Sequence, residues 1–284
     1  MTEPLFAFFG TPRFGTAVLD ALEKNGFLPA LVVTAPDRKQ GRGMAVTPSP
    51  VKTWGTERGI PVLTPSTLKD PAFLAELANT EWDVFVVAAY AKLIPKNILE
   101  MPKRGALNVH PSLLPKLRGP SPALTAILED TRATGVSIMQ MSEKMDAGAI
   151  VAQAKIELEE AAWPMRGSEF EELLATEGGN LLAEILPEWL AGEITPEEQN
   201  EAEATFTKKF TDADALVDLT QDPRKNFLKI KAFDKGPRAY MLVDGKRVII
   251  KDAEFKEGKL TITKVIPEGK KEMAYKDFLK GAKS

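Results

Sequence analysis

The chain contains no cysteine, one histidine and only three tyrosines in 284 residues. Without cysteine there is no disulfide, no thiolate nucleophile and no cysteine-ligated zinc. A single imidazole with no thiolate partner argues against a transition-metal site, so no metal is expected. No apolar run approaches the roughly 18 residues that cross a bilayer, and no membrane association is expected. Met1-Thr2-Glu3-Pro4 leads directly into an apolar run, with neither a basic leading segment nor a small-residue cleavage site. That pattern is the one expected of a cytoplasmic protein.

Hydrophobic residues make up 44% of the chain and charged residues 27%, the balance of a globular protein. The length suggests two domains. The formal net charge of −3 is unevenly placed. Residues 206–284 hold 19 Lys+Arg against 12 Asp+Glu, a net of +7, whereas residues 1–205 hold 18 against 28, a net of −10. An acidic body with a basic C-terminal part points either to a polyanionic partner or to a lysine-rich solvated surface, and charge alone leaves both open.

The pattern of elements is alternating. Leu5–Phe9 is an apolar run ending at Gly10, and Phe14, Val18, Leu19 and Leu22 carry the helix that follows. Gly10-Thr11-Pro12-Arg13-Phe14-Gly15 lacks the three-glycine dinucleotide fingerprint, which excludes that reading. Ala30–Thr34 reads as a second strand. Residues 35–50 form a Pro/Gly/basic loop, far longer than the usual connection of about 2–6 residues, and hence a functional loop or a solvated one. Asp83–Ala89 is a continuous apolar strand of the doubly covered kind, and Gly105–His110 is the central strand. Thr134–Met141 alternates like a half-exposed strand, Ala149–Leu158 is its neighbour, and Ser121–Glu129 reads as a helix with a serine cap. Ser168–Leu190 has apolar residues at helical spacing. Strands and helices in this order predict a doubly wound, Rossmann-like α/β domain over residues 1–191. A polar, acidic linker over 192–205 follows, and then a small β domain over 206–284, with Asp244-Gly245 as a hairpin turn.

One stretch carries candidate chemistry. In Asn108-Val109-His110-Pro111-Ser112 the only imidazole and an amide stand two residues apart at a strand end, on one side of it. The carboxyl ends of strands are where open α/β sheets bind ligands. A lone histidine is more often structural, and asparagine at a strand end is commonly a turn former. A polar pair closing an apolar strand nevertheless needs partners, and Met139–Gly148 supplies a carboxylate, Asp146, in a glycine-bearing loop after another strand.

Asn-x-His, then Ser112-Leu113-Leu114-Pro115, then Arg118-Gly119-x-x-Pro122, with Asp146-x-Gly148 beyond, resembles the formyltetrahydrofolate-dependent formyltransferases. So do Phe9-Gly10-Thr11-Pro12, Pro36-Asp37-Arg38 with Gly41-Arg42-Gly43, Pro48–Lys52 and Thr134–Met139. The resemblance implies 10-formyltetrahydrofolate as co-substrate and the α-amine of methionyl-initiator tRNA as acceptor, in the first step of translation. It implies that Asn108, His110 and Asp146 are catalytic, that Ser112, Leu113, Leu114 and Pro115 form a wall against the folate, and that Arg42 meets the tRNA. It further implies a C-terminal β-barrel of the OB type, here shortened, in a protein acting as a monomer. Two features depart from the family pattern: Met44-Ala45 replaces a basic pair, and Asp234-Lys235-Gly236-Pro237 replaces Asn-Pro-Trp-Pro. The other activities compatible with the same triad are N-formylation of a sugar nucleotide and hydrolysis of formyltetrahydrofolate. A folate- or RNA-binding protein without turnover is the non-enzymatic alternative.

Overall fold

The computed structural model describes residues 4–40 and 44–281. In chain order the elements are β1 (Phe6–Gly10), α1 (Arg13–Lys24), β2 (Leu31–Val33), β3 (Arg38–Gln40), β4 (Ala45–Thr47), α2 (Pro50–Glu57), β5 (Val62–Leu63), α3 (Pro71–Ala78), β6 (Val84–Ala88), α4 (Lys96–Leu99) and β7 (Ala106–His110). They continue with α5 (Pro122–Leu128), β8 (Thr134–Gln140), β9 (Ile150–Ile156), α6 (Gly167–Ala191), α7 (Pro223–Ala232), β10 (Tyr240–Val243), β11 (Lys246–Lys256), β12 (Lys259–Pro267), β13 (Met273–Ala274) and α8 (Tyr275–Gly281). The chain divides into two compact units. The first comprises Met1–Arg118, Gly135–Ile156 and Glu172–Thr205; the second comprises Gly119–Thr134, Glu157–Glu171 and Phe206–Ser284.

The first unit is built on a seven-stranded sheet in the order β5-β2-β1-β6-β7-β8-β9. Its first five strands are parallel, and β8 runs antiparallel to β7. The apolar runs of β1 and β6 follow from their position, because helices cover both faces. Phe6 and Phe8 join Val84 and Val86 in one core with Leu19 and Leu22 of α1 and Leu182 and Leu186 of α6. Ala7 and Phe9 turn the other way, with Phe85 and Val87, onto Phe73 and Leu77 of α3 and Ile98 of α4. Each fully buried phenylalanine contributes about 1.5–3 kcal/mol. From β1 the chain winds outward through β2 and β5, then returns to β6 and β7 on the other side. The order therefore reverses between β1 and β6, and the crevice at their carboxyl ends is the ligand position of such sheets.

Helix α6 lies close to this sheet because of two adjacent glycines. A Cβ on Gly178 would sit 2.4 Å from a Val109 methyl carbon. One on Gly179 would sit 2.6 Å from the Ala21 Cβ and 2.8 Å from the Val18 carbonyl oxygen of α1. Two glycines inside a 25-residue helix weaken it by about 1 kcal/mol each, and the close approach to α1 and β7 is what that permits.

Several elements differ from the sequence expectation. The long loop after β2 contains the antiparallel pair β3–β4, with β4 exposed throughout. β8 is buried at six of its seven positions rather than half exposed. Its polar residues mimic an alternating surface strand, but Ser137 is fully buried and hydrogen-bonded within the loop that follows β7. Ser121 makes no side-chain cap bond to α5. The short strand β13 and the helix α8 were not legible in the sequence.

In the second unit the expected small β domain is an antiparallel sheet in the order β10-β11-β12-β13. Among the described residues no pairing joins its first and last strands, so the sheet stays open where a barrel would close. Helix α7 is capped by the Asp222 carboxylate, which accepts from the Lys225 N–H, and Phe227 on it stacks on Phe255 of β11 at 5.5 Å. Residues 119–134 and 157–171 are bound into this unit by polar contacts. Arg224 makes two hydrogen bonds to Asp130, Arg166 pairs with Asp252, and the Ser168 hydroxyl and N–H both donate to Asp234.

Gly179→Ala tests the close approach of α6. The neighbouring atoms at 2.6 and 2.8 Å belong to Ala21 Cβ and backbone, which cannot rotate aside. The variant is expected to lose about 1–3 kcal/mol in urea denaturation despite its better helix propensity. A gain in stability would show that the helix can move off α1 freely.

Candidate active site

The site begins with the geometry of β7. This strand lies between β6 and β8, with Asn108 beside Val87 on one side and Met139 on the other, and His110 opposite Ser137. Alternation along the strand places the Asn108 and His110 side chains on the same face, and both stand at its carboxyl end. Asn108 is half-buried, and its amide makes no side-chain hydrogen bond among the described residues. Its two N–H donors and its oxygen are thus available to a ligand.

His110 is 4% exposed, and each ring nitrogen faces one group. Nε2 is 3.1 Å from the Leu117 carbonyl oxygen. That oxygen only accepts, so the bond requires the proton on Nε2 and leaves the Nδ1 lone pair of the neutral ring free. Nδ1 lies 3.9 Å from Asp146 Oδ1, too far for a direct hydrogen bond and close enough for strong electrostatic interaction. Burial lowers the His110 pKa below its ordinary 6.5, while Asp146 and the Leu117 bond oppose that shift. The ring is therefore neutral at pH 7 and is a potential proton acceptor.

Two loops supply these partners. The loop after β7 is folded around Ser112, Leu113, Leu114 and Pro115. The Ser112 hydroxyl donates to the Lys116 carbonyl oxygen at 2.6 Å, and the Leu114 N–H donates to the Ser137 hydroxyl. Gln153 of β9 donates to both the Leu114 carbonyl oxygen and Ser137 Oγ. The Leu114–Pro115 peptide is cis. Ser112 and Leu114 face inward, and Leu113 and Pro115 are partly exposed. Leu117, with φ 59°, adopts the left-handed conformation as it presents its carbonyl to His110. In the other loop Asp146 has φ 50°, and Gly148 packs so tightly that an added Cβ would lie 1.7 Å from the Gln140 carbonyl oxygen.

A brace that the sequence did not reveal joins the two loops. Gln199 is buried, and its side-chain N–H groups donate to the carbonyl oxygens of Asp146 at 2.9 Å and Gly148 at 2.7 Å. Its oxygen accepts from Arg118 Nε at 2.9 Å. Arg118, 2% exposed, makes a bidentate pair with Glu201 at 2.9 and 3.1 Å, which lowers the Glu201 pKa. Thr205 continues the attachment: its hydroxyl accepts from the Leu117 N–H, its carbonyl from the Arg118 N–H, and its own N–H donates to the Pro115 carbonyl. Residues 197–205 read as an acidic, solvated linker because Gln199 stands among glutamates, and no periodicity marks it as buried. The Arg118-Gly119 motif was the only available signal.

Arg42, the sequence candidate for tRNA contact, lies outside the described residues, together with Gly41 and Gly43. At the carboxyl ends of β1 and β2 is a cleft of about 290 Å³ lined by Thr11, Arg13, Arg38 and Ser49 among others. The Thr11 hydroxyl is buried there without a partner among the described residues. Among the described residues no group of histidine and carboxylate side chains is arranged to hold a metal ion, and no helix is long and apolar enough to cross a membrane.

Residues 5–164 match the family model of the formyl transferases. The methionyl-tRNA formyltransferase of Bacillus licheniformis is 36% identical over 300 residues, spanning 97% of this chain and 94% of that protein. Among solved structures, the methionyl-tRNA formyltransferase from Clostridium thermocellum superposes with a TM-score of 0.63 at 17% identity, covering 94% of this chain and 99% of that one. An N-formyltransferase from Helicobacter canadensis, solved with folinic acid and dTDP-3-aminofucose, gives a TM-score of 0.64 at 15% identity, covering 96% and 99%. These structural likenesses establish a shared fold. A family match over more than half of the chain, and a relative matched along nearly its whole length, show that the chain belongs to the formyl transferase family.

Proposed function

We propose that this protein transfers the formyl group of 10-formyltetrahydrofolate to the α-amine of methionyl-initiator tRNA, with Asn108, His110 and Asp146 as its catalytic residues. The observation that carries the reading is the end-to-end match to a methionyl-tRNA formyltransferase in a chain whose amide, imidazole and carboxylate converge at one sheet edge. Such a reaction runs in the cytoplasm, where aminoacylated tRNA is made.

The chemistry is acyl transfer between two nitrogens. The α-amine nitrogen bonds to the formyl carbon, the carbonyl electron pair moves onto oxygen, and the tetrahedral species collapses as the carbon–N10 bond breaks. The Asn108 amide, uncommitted among the described residues, donates to the oxyanion, a contribution typically worth about 10²–10³ in rate. The amine must lose a proton and N10 must gain one. The neutral His110 ring accepts the first at Nδ1, and Asp146 stabilises the imidazolium so formed. The same proton then passes to N10, and nothing is left on the protein. Leu113 and Pro115 are the exposed part of the wall that would face the folate. Arg42, with the cationic cleft at Arg13 and Arg38, would guide the acceptor end, and the net +7 of residues 206–284 would hold RNA phosphates.

The likeness to an N-formyltransferase bound to an amino-sugar nucleotide supports a second reading in which the acceptor is a sugar amine. Incubation with 10-formyltetrahydrofolate and each acceptor decides between them. Formylmethionyl-tRNA is the expected product, and efficient formylation of an amino-sugar nucleotide with none of the tRNA would overturn the proposal.

Because burial holds the His110 pKa down, turnover should be level through pH 7 and fall only below about 6.5. The same depressed pKa contributes stability that is fully present above the unfolded value and is lost as pH falls from there toward the folded value. Asp146→Asn removes an attraction that raises the His110 pKa, so its acid limb should move lower still. Its turnover should drop by about 10²–10⁴. Near wild-type rates for this variant in a pH series would remove the carboxylate from the mechanism.

Arg42→Ala should depress both kcat and affinity for methionyl-tRNA while leaving folate binding, titrated without tRNA, unchanged. Lysine should restore only part of the loss, because it lacks the planar donor fork. Equal weakening of folate and tRNA binding would show that this loop serves the folate instead.

A further inference from the structure

The two nitrogens of His110 meet groups on different loops: Leu117 on the loop after β7 and Asp146 on the loop after β8. Neither loop is a regular element, so β7 alone does not fix the distance between those groups. We propose that Gln199 is a positioning residue for formyl transfer, bracing the Asp146 loop against the Leu117–Arg118 loop so that His110 is held between its two partners.

The geometry leaves Gln199 one arrangement. Arg118 can only donate, so the Gln199 oxygen must face it. The amide nitrogen is then directed at two carbonyl oxygens, which can only accept: those of Asp146 itself and of Gly148, on either side of Ala147. Every polar atom of the side chain is thereby used, and the assignment of oxygen and nitrogen is internally consistent. The Gly148 backbone is also packed against the Gln140 carbonyl, and the two Gln199 bonds tie the loop on both sides of Ala147. At the other end, Arg118 is adjacent to Leu117, whose carbonyl accepts from His110. The bidentate pair with Glu201 neutralises Arg118 at a position 2% exposed, where an unpaired cation would be unfavourable. One amide thus connects the main chain of the carboxylate loop to the Arg118 side chain, on the loop whose Leu117 carbonyl accepts from the imidazole. Gln199 touches no reacting atom in this account. It acts through the His110–Asp146 separation, and its role in turnover rests on the formyl-transfer reading above.

The single histidine makes the test direct, since imidazole nuclear magnetic resonance signals in the untagged full-length protein belong to His110 alone. The His110 titration midpoint is measured for wild type, Asp146→Asn, Gln199→Leu and the double variant. Asp146→Asn should lower the midpoint in the wild-type background and should shift it much less in the Gln199→Leu background, because the carboxylate no longer sits at its working distance. The kcat of Gln199→Leu should fall by about 10², the effect of a displacement on the order of 1 Å, with KM for the folate little changed. Gln199→Glu retains the acceptor for Arg118 but has no N–H for the two carbonyls. It should reproduce both effects, and it replaces the leucine variant if that one does not fold. An undiminished Asp146→Asn shift in either Gln199 background, or wild-type kcat in both Gln199 variants, overturns the positioning role. Coupling in the titrations from a wild-type protein that forms no formylated product would instead overturn the formyl-transfer reading and leave the brace standing.

Discussion

The constraint on which the site depends is the burial of one imidazole between a carbonyl that can only accept and a carboxylate that carries charge. The Leu117 oxygen assigns the Nε2 proton, and burial keeps the ring neutral. Those two facts leave Nδ1 as an unprotonated nitrogen facing Asp146. A solvated histidine at the same position would divide its population between tautomers and between charge states near pH 7. The enclosure therefore selects one state of the ring before any substrate is present.

The rest of the first unit serves that enclosure. The reversal of strand order between β1 and β6 opens a crevice at the carboxyl ends of the strands, and β7 brings Asn108 and His110 to the same sheet edge. Close packing of α6 through Gly178 and Gly179 fixes the back of β7 at Val109, the residue between Asn108 and His110. The buried polar residues of β8 and β9, Ser137 and Gln153, are hydrogen-bonded to the loop that turns back over His110. Buried polar atoms are tolerated here because each has a partner, and a fully satisfied network is also a rigid one.

Charge is segregated in a way that suits the proposed reaction. Near the site, the carboxylates of Asp146 and Glu201 have defined electrostatic partners in His110 and Arg118. In the second unit, cations lie against aromatic rings: Arg247 over Tyr240 at 3.9 Å, and Arg224 at 5.9 Å from the Phe227 ring and 5.4 Å from the Phe255 ring. Such contacts hold basic side chains in place while leaving the excess of positive charge that a polyanion would meet.

Sequence by itself determined the alternation of strands and helices, the doubly covered strands, and the co-facing of Asn108 and His110. Each follows from local periodicity or from steric rules between near neighbours. It also nominated Asp146, through residue type and its place after a strand, and placed Arg42 on a long basic loop. It misjudged β8, whose threonine and serine imitate a solvated face, because burial depends on which neighbours arrive from elsewhere in the chain. It could not show that Asp146 comes within 3.9 Å of His110, since the 35 positions between them are closed by strand pairing rather than by spacing. Nor could it distinguish Gln199 from the solvated acids beside it. Hydrogen bonding between residues 118 and 199 depends on two distant segments meeting, and only the tertiary structure decided that an acidic linker would become the brace of the site.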